Sequence, residues 1–478
     1  EANYVHGSTV ATNAFLERKG ARTAFVTTKG FEDILEIGRQ NRPALYDLMV
    51  ERPPSLVPRE LRFGVAERVE YTGKVLQALE EGEVQRLARE LEKARVDSVA
   101  VSLLFSFLNP LHEEMLRRAL EKLSPRPFIS ISSQVLPEFR EYERSSTVVV
   151  NAYVGPIMAR YLSNLEQALG KGLRIMQSSG GSITATLAST QPVRTILSGP
   201  AGGVVASFHV GSLAGYKDLI TLDMGGTSTD VSLCPGRIKE TTSSSIGGYP
   251  IGVPMIEIHT VGAGGGSIAR LDQGGALLVG PESAGADPGP VCYGKGEEIT
   301  VTDANLVLGR LQPKHFLGGR MALDVDRAKD YMELLARKMG TDIRRAALGI
   351  IRVVNSNMER AIRAVSLERG YDPRQFTLLA FGGAGALHSC DLAQELGIPR
   401  VLVPPYPGIL SALGVAIADI VKDYSQTVMM RGKSINPQSL DEAFAGLEYN
   451  AREEMAREGL PLDRLVAQRS LDVRYVGQ

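Results

Sequence analysis

The stretch Asp223-Met-Gly-Gly-Thr-Ser-Thr-Asp230 carries the strongest structural signal in this chain. It follows the apolar run Leu219-Ile-Thr-Leu222 and precedes Val231-Ser-Leu233, so it predicts two short strands joined by a tight turn. Gly225 and Gly226 let the backbone turn sharply and bring its N–H groups against a ligand. Hydroxyl groups that can donate to phosphate oxygens follow at Thr227, Ser228 and Thr229. These features favour a nucleotide phosphate site at the turn.

A carboxylate stands at each end of this turn, at Asp223 and Asp230. Mg²⁺ is usually held through one or two carboxylates together with phosphate oxygens and water. Because phosphoryl transfer depends mainly on positioning and on neutralised charge, we expect both carboxylates to be catalytic. Asp223 would order Mg²⁺ or its water shell, and Asp230 would hold the turn or orient the attacking water. A plain β-hairpin is the alternative, but the complete string favours phosphate binding.

A second glycine-rich loop lies late in the chain. The run Phe376-Thr-Leu-Leu-Ala-Phe381 predicts a strand, and a helix is expected to start near Ala386. A strand, a glycine turn and a helix N-terminus form a contact for anions or nucleotides, because the N–H groups of the first turn are unpaired. We therefore expect Gly382, Gly383 and Gly385 to contact the nucleotide. The alternative is a tight strand-to-helix connection without a ligand.

A third glycine-rich loop, Val261-Gly-Ala-Gly-Gly-Gly-Ser267, follows a strand predicted over 254–260 and precedes a predicted helix. So many glycines disfavour folding unless the backbone must approach something closely. Gly264 and Gly265 are candidates for contact with the nucleotide, and a packed neighbouring strand explains them equally well. Ser198-Gly-Pro-Ala-Gly-Gly203 is expected to open a helix, where close packing of the helix on a sheet is favoured.

Size and composition limit the classes of protein that this chain can represent. At 478 residues it exceeds what one hydrophobic core usually supports, so two or three domains are expected. The net charge of −1 argues against a surface that binds nucleic acid or attracts a membrane, and no apolar run is long enough for a membrane span. The cysteines lack metal-ligand spacing, which favours a reducing compartment and predicts a cytoplasmic location.

Short β-like runs alternate with helical ones in the first part of the chain, which predicts an α/β fold. A helix is expected over 143–169, interrupted near Gly155-Pro156, and we place a domain boundary just before it. Towards the end, a polar helix over 440–459 and a strand-like run over 471–476 predict a further region. The expected division is 1–140, 141–424 and 425–478.

Several stretches, in order along the chain, are similar to those of one known family. They are Val5-His-Gly-Ser-Thr-Val-Ala-Thr-Asn-Ala14, Leu16-Glu-Arg-Lys-Gly20, Thr28-Lys-Gly-Phe31, Leu35-Glu-Ile-Gly-Arg-Gln40, Ser198-Gly-Pro-Ala-Gly-Gly203, His259-Thr-Val-Gly-Ala-Gly-Gly-Gly266, Gly285-Ala-Asp-Pro-Gly-Pro290 and Phe381-Gly-Gly-Ala-Gly-Ala-Leu-His388. With the turn at 223–230 they resemble the ATP-dependent hydantoinase A and 5-oxoprolinase family, which includes the ATP-handling subunits of acetone-type carboxylases. The resemblance implies duplicated actin-like, sugar-kinase-like ATPase domains with ATP and Mg²⁺ bound between them.

The chain departs from the family pattern in one respect. Family members begin with a first phosphate hairpin of the Asp-x-Gly-Gly-Thr type, and this chain has no second copy of that string. We therefore expect a fragment, or the ordered part of a longer protein, truncated at both ends. On this expectation the first domain is incomplete, and one half of the ATP clamp lies outside the sequence.

The resemblance also implies an activity, the ATP-dependent opening of a cyclic amide of the hydantoin or 5-oxoproline type. The γ-phosphoryl group would pass to the amide oxygen, and water would open the activated ring. A partner of the hydantoinase B type, as a subunit or fused domain, is expected, and hence a hetero-oligomer. Two alternatives remain open: the ATP-using subunit of an acetone-type carboxylase, and a nucleotide-binding subunit without turnover.

Other polar residues are better explained by structure than by chemistry. Asp303 lies at an expected helix start and is predicted to be its N-cap. Cys292 has no base marked beside it in the sequence and is interpreted as a structural thiol. His6 and His388 lie inside the family-like stretches, but a structural role is favoured for a lone histidine.

Overall fold

The computed structural model describes residues 4–41, 49, 54–170, 172–432 and 435–475. The strands are β1 (Val5–His6), β2 (Thr23–Thr28), β3 (Arg62–Val65), β4 (Arg68–Val69), β5 (Val75–Gln77), β6 (Ser98–Ser102), β7 (Phe128–Ile131), β8 (Arg174–Met176), β9 (Ser182–Thr184), β10 (Asp218–Met224), β11 (Thr229–Pro235), β12 (Glu240–Thr241), β13 (Ser244–Ile246), β14 (Tyr249–Ile251), β15 (Met255–Ile256), β16 (His259–Val261), β17 (Ser267–Leu271), β18 (Leu277–Ser283), β19 (Thr377–Phe381) and β20 (Arg400–Leu402). The α-helices are α1 (Val10–Leu16), α2 (Ile34–Ile37), α3 (Glu81–Ala94), α4 (Leu111–Leu120), α5 (Ser132–Val135), α6 (Glu141–Leu169), α7 (Ala185–Thr190), α8 (Ser198–Leu213), α9 (Val301–Val307), α10 (Val325–Lys338), α11 (Ile343–Val365), α12 (Gly385–Leu396), α13 (Leu410–Ile417) and α14 (Pro437–Arg457).

A four-stranded sheet in the first part of the chain is parallel and covered on both faces. Its four strands run in the order β3-β2-β6-β7. All residues of β2 are buried, because α3 and α4 pack on one face of the sheet and α6 packs on the other. Burial on both faces is typical of a parallel sheet that helices cover on each side.

Helix α6 continues through the point where an interruption was expected. It spans 29 residues with Pro156 inside, although proline removes one N–H donor from the helix. Residues 148–154 are all buried, and Gly155 lies against the ring of Phe128. The predicted break is wrong, because packing around this segment holds both halves of the helix in place.

The sheet that carries the glycine turn has five strands in the order β16-β11-β10-β19-β20. Strands β10, β11 and β16 form an antiparallel meander, and β19 and β20 run parallel to β10. Helices α9 and α11 pack on one face, and α8 and α13 pack on the other. This arrangement of a mixed sheet between two helical layers agrees with the predicted α/β fold.

Two local predictions differ from the structure. Residues 267–271 form strand β17 rather than a helix, because they pair with β18 in an antiparallel ladder. Residues 471–475 are exposed and form no strand, while Val476 lies outside the described residues. A strand needs a partner strand for its N–H and C=O groups, and among the described residues no β-ladder includes this segment.

The polar helix expected after Asp423 is present as α14. Its C-terminal end is tied to the preceding region by Lys422, a buried cation that forms ion pairs with Glu454 and Glu458. The division at 140 and 424 stays a prediction. Among the described residues, no helix combines the length and apolar character that crossing a bilayer requires.

Candidate nucleotide phosphate site

The predicted hairpin at 223–230 is present. Strands β10 and β11 pair in register, so that Asp223 lies opposite Asp230 and Met224 lies opposite Thr229. The turn is closed by the Gly225 N–H, which donates to the Ser228 carbonyl at 3.0 Å. Because directly opposed residues project on the same face of a sheet, the two carboxylates point to one side of the hairpin.

The turn presents donors that the protein itself does not use. Within the described residues, the backbone N–H groups of Gly226, Thr227 and Ser228 donate no hydrogen bond. The side-chain hydroxyls of Thr227 and Ser228 donate none either. Gly226 and Thr227 are exposed. Successive unpaired N–H groups in a turn form a concavity suited to an anion. These three residues therefore present donors that could face an anion, and phosphate contact there stays a prediction.

The loop at 262–266 packs against this turn and forms hydrogen bonds with its backbone. The N–H groups of Gly265 and Gly266 donate to the carbonyls of Gly225 and Gly226 at 3.0 and 2.6 Å. A methyl group at Gly264 would lie 2.6 Å from the Gly226 carbonyl oxygen, so only glycine permits the approach. Gly264 and Gly265 are buried, which favours the packed-backbone alternative over direct contact with a ligand.

Thr229 also differs from its expected role. Its side chain is fully buried and its hydroxyl donates to the carbonyl of Ala263. The hydroxyl thus joins the hairpin to the supporting loop, and its single proton is already donated within the protein.

The second glycine-rich loop joins the hairpin from the neighbouring strand. Strand β19 ends at Phe381, and α12 begins at Gly385, as the sequence predicts. The Ala384 N–H donates to the Met224 carbonyl at 2.9 Å. Gly382 has a φ of 78°, and a methyl group there would collide with Oδ1 of Asp223. Gly383 is exposed and Gly385 is buried, so the exposed N-terminus of α12 lies beside the turn.

The two carboxylates form an electrostatically unbalanced pair. No Lys or Arg of the described residues forms an ion pair with either of them. Burial, with a smaller effect from Asp230, raises the pKa of Asp223 to about 6. Burial also raises the pKa of Asp230, while the Thr260 hydroxyl opposes the rise by donating to Oδ1 at 2.5 Å. The Asp223 carboxylate accepts no hydrogen bond from the described residues.

This donor set fits a divalent cation. Mg²⁺ prefers carboxylate oxygens and keeps open positions for phosphate and water, and a cation would relieve the repulsion between the paired carboxylates. Asp223 is the better ligand of the two because nothing in the described protein occupies its oxygens. Asp230 is held by Thr260, which suits a positioning role.

The remaining sequence-based interpretations concern structural residues. Asp303 is not the N-cap: Thr300 is, and Asp303 completes a capping box at the third helical position. The Asp303 carboxylate also accepts from the backbone N–H of Cys292 at 2.8 Å. Burial raises the pKa of the Cys292 thiol, which agrees with a structural thiol. His388 is buried between Asn305 and Asn355, so its hydrogen bonds are satisfied by the fold.

Two threonines near the site were missed by sequence reasoning. Thr260 lies opposite Asp230 across β11 and β16, and Thr302 donates from its hydroxyl to the Gly265 carbonyl at 2.8 Å. Thr260 lies in the family-like stretch at 259–266, which is the only signal for it in the sequence. The roles of both threonines depend on pairing between segments far apart in sequence, which that signal does not report.

Comparison with known proteins places the chain in a family. The profile of the hydantoinase/oxoprolinase family matches residues 144–424, and that of the hydantoinase/oxoprolinase N-terminal region matches residues 2–124. The caprolactamase subunit alpha of Pseudomonas jessenii is 40% identical over 487 residues, which cover 99% of this chain and 70% of that protein. The 5-oxoprolinase 1 of Arabidopsis thaliana is 37% identical over 516 residues, which cover 98% of this chain and 40% of that protein.

Solved structures agree with the sequence relatives. The crystal structure of the ATP-dependent caprolactamase from Pseudomonas jessenii superposes with a TM-score of 0.85 at 38% identity, covering 99% of this chain and 70% of that chain. Nucleotide-free acetone carboxylase superposes with a TM-score of 0.80 at 30% identity, covering 96% of this chain and 69% of that chain. These matches confirm the predicted fold class, and the family includes ATP-dependent amide hydrolases and carboxylase subunits. The chain belongs to the hydantoinase/oxoprolinase family.

Proposed function

We propose that this chain is the ATP-handling part of an enzyme that opens a cyclic amide by phosphoryl activation. The observation that carries the proposal is the hairpin turn. There, backbone donors and two carboxylates lie side by side, and no described residue pairs with the donors or supplies a cation to the carboxylates. Such a site suits the phosphates of a nucleotide and a divalent cation, and not a neutral ligand. The choice of a cyclic amide rests on the similarity to a caprolactamase and a 5-oxoprolinase.

The roles of the residues follow from their positions. Gly226, Thr227 and Ser228 would bind phosphate oxygens through N–H and hydroxyl groups, and the first turn of α12 would add N–H donors. Asp223 would hold Mg²⁺, which supplies charge neutralisation when it is bound. Asp230, oriented by Thr260, would position a water molecule near the phosphates. Gly264 and Gly265 would hold the turn in shape rather than touch the nucleotide.

The chemistry makes a stable amide reactive. The amide oxygen attacks the γ-phosphorus, the bond between the γ-phosphorus and the bridging oxygen of ADP breaks, and the nitrogen loses its proton. Water then adds to the activated carbon, and the carbon–nitrogen bond breaks to give an acyl phosphate. A second water releases phosphate. One cyclic amide, one ATP and two waters thus give the ring-opened amino acid, ADP and phosphate.

The proposed activity also requires a second protein component. The related caprolactamase chain is named as a subunit, and this chain covers about 40% of the related 5-oxoprolinase. We propose a hetero-oligomer with a hydantoinase B-type subunit or fused domain that completes the hydrolysis. The cytoplasmic location stays a prediction.

The test is phosphate release by the full-length protein with its partner, using hydantoin, 5-oxoproline and caprolactam as substrates. We expect release to depend on a cyclic amide and on Mg²⁺, and to be indifferent to bicarbonate. A requirement for bicarbonate together with a ketone would instead establish a carboxylase. ATP binding without turnover under every condition would establish a binding subunit, and either result would overturn the proposal.

A further inference from the structure

His388 is a buried titratable residue that the proposed chemistry does not use. It lies in the first turn of α12, and 0% of its surface is exposed. Nδ1 of the ring lies 2.7 Å from Oδ1 of Asn355 on α11, and Nε2 lies 3.2 Å from Nδ2 of Asn305 on α9. The ring therefore joins three helices that pack on one face of the five-stranded sheet.

The hydrogen bonds of this histidine require a single tautomer. A carboxamide oxygen only accepts and a carboxamide nitrogen only donates, so Nδ1 carries the proton donated to Asn355, and Nε2 accepts from Asn305. Nδ2 of Asn305 also donates to the Val301 carbonyl at 3.2 Å, whereas its Oδ1 has no partner among the described residues. A buried oxygen without a partner is unfavourable, so the two bonds of Nδ2 are what hold Asn305 in this orientation.

Arg310 and Asp391 close the network on its outer side. The Arg310 backbone N–H donates to the Asn305 carbonyl at 2.9 Å, and its guanidinium donates to Oδ2 of Asp391 at 3.1 Å. The same carboxylate oxygen accepts from Nδ2 of Asn355 at 3.4 Å. Burial, followed by the charge of Arg310, lowers the pKa of His388 to about 4, and Asp391 opposes the shift. The ring is therefore neutral at pH 7, as an acceptor at Nε2 requires.

Two of the helices joined by this histidine, α9 and α12, also hold the hairpin turn. On α9, the hydroxyl and the backbone N–H of Thr302 both donate to the Gly265 carbonyl at 2.8 Å. The Gly265 N–H in turn donates to the Gly225 carbonyl at 3.0 Å. At the start of α12, the Ala384 N–H donates to the Met224 carbonyl at 2.9 Å. Two consecutive carbonyls of the hairpin are thus held by two different helices.

The bond between His388 and Asn305 lies one helical turn behind these contacts. Asn305 follows Thr302 by three residues, and His388 follows Ala384 by four, so each pair lies along one side of its chain segment. Both partners of the bond are buried, so α9 cannot move away from α12 without leaving two polar groups unpaired. The bond therefore fixes the distance between the loop at 262–266 and the loop at 382–385, which both contact the turn.

We propose that His388 is a positioning residue for the nucleotide phosphates. By joining α9 to α12, it holds the two glycine-rich loops at the separation at which the N–H groups of residues 226–228 converge on the phosphate oxygens. The side chain is buried and does not touch the nucleotide, so it acts only through Asn305 and the two loops. This inference rests on the proposed function and adds to it a residue outside the turn and its loops.

The experiment compares two buried histidines in the full-length protein with its partner. Each variant is titrated calorimetrically with a non-hydrolysable ATP analogue and Mg²⁺, below its unfolding temperature. His388→Phe keeps a ring in the same space and removes both hydrogen bonds, so we expect it to weaken binding at least about tenfold. His112→Phe is the matched control and should bind like the wild type. His112 is 3% exposed, forms hydrogen bonds with Glu67 and the Leu79 N–H, and lies in the parallel-sheet region.

A conservative variant separates positioning from simple packing. His388→Gln keeps one donor and one acceptor side by side, so it should recover most of the affinity that His388→Phe loses, although phenylalanine fills the space better. Asn305→Leu should weaken binding by itself. Adding it to His388→Phe should cause little further loss, because both changes remove the same bond. If His388→Phe does not fold, Asn305→Leu provides the test alone.

The outcomes distinguish this inference from the proposed function. Wild-type affinity in His388→Phe and in Asn305→Leu, equal losses in His388→Phe and His112→Phe, or no recovery in His388→Gln would each overturn the positioning role. A wild-type protein that binds no ATP analogue would overturn the proposed function. The wild-type titration therefore tells the two failures apart.

Discussion

The behaviour of single residues at the hairpin follows from one electrostatic fact. Asp223 lies next to a second carboxylate, is largely removed from solvent and forms no ion pair within the described residues. Its charged form is therefore disfavoured until a cation binds. Such a residue reduces stability and supports function at the same time, a combination common at active sites.

Replacing this residue should separate its two effects. Asp223→Asn is expected to abolish Mg²⁺-dependent ATP turnover. It should also raise the melting temperature of the nucleotide-free protein at pH 7.5 by about 2–4 °C, equivalent to about 1 kcal/mol. Asp330→Asn, at an exposed position on α10, is the control and should change neither quantity. Retained turnover in Asp223→Asn would contradict the metal-binding role.

The raised pKa also predicts a dependence on pH. Asp223 titrates at about 6 in the folded protein against an ordinary value of 3.8. Above pH 6 the folded protein carries the unfavourable buried charge; between about 4 and 6 the folded state binds the extra proton, so stability from this group increases as pH falls. The increase in melting temperature caused by Asp223→Asn should therefore be smaller at pH 5 than at pH 7.5. Wild-type ATP turnover should decline below about pH 6. Melting curves and initial rates at both values provide the check.

Gly382 offers a steric test of the same site. A methyl group there would meet Oδ1 of Asp223, and the φ of 78° is unfavourable for any residue with a Cβ atom. Gly382→Ala is expected to weaken ATP binding by more than tenfold. Gly82→Ala on α3 is the control, because no atom lies within 4 Å of the added group and the residue lies outside the candidate site. Equal nucleotide affinities for both variants, measured by calorimetry, would show that the loop does not shape the site.

Among the secondary-structure elements, the crossing of α8 and α13 holds the sheet that carries the site. Gly202 lies against the Ser411 carbonyl, and Gly203 lies against the ring of Phe381, the last residue of β19. Gly414 of α13 faces the Gly202 carbonyl from the other side. These glycines confirm that packing explains the stretch at 198–203, since each allows a backbone approach that a side chain would block.

A methyl group on α13 should therefore separate the two helices. Gly414→Ala would place its Cβ atom on the Gly202 carbonyl oxygen, and overpacking of this kind costs about 1–3 kcal/mol. The higher helix propensity of alanine offsets only about 1 kcal/mol of that cost. Gly446→Ala on α14, where nothing lies within 4 Å, should be neutral or stabilising. Urea unfolding of both variants measures the difference, and equal midpoints would contradict this account of the crossing.

For the molecule as a whole, the site exists only when distant segments meet. The turn at 225–228, its support at 262–266 and the loop at 382–385 come together through backbone hydrogen bonds. Nucleotide binding should therefore stabilise the assembled fold, by about 2.7 kcal/mol when the ligand concentration is one hundred times its Kd.

Removal of the metal tests this coupling. Saturating ATP with Mg²⁺ is expected to raise the melting temperature by several degrees, and EDTA should remove most of that increase, because the carboxylate pair then repels the phosphates. Asp223→Asn should show little difference between Mg²⁺ and EDTA. A wild-type shift that survives EDTA unchanged would contradict a metal-dependent site.

Much of this arrangement can be anticipated from the amino-acid order, because the responsible signals are local. Two apolar runs around 223–230 specify a hairpin, and the glycines after Phe381 specify a turn into a helix. The packing of Gly264 beneath the turn, the unbroken helix through Pro156 and the roles of Thr229 and Thr260 come only from contacts between remote segments. The local sequence pattern indicates which backbone conformation a segment prefers. The hydrogen-bond partners, burial and pKa of a side chain depend instead on which other segments lie near it in the fold. For that reason the glycine turn can be recognised in the sequence, whereas the pairing of Thr260 with Asp230 emerges only from the folded chain.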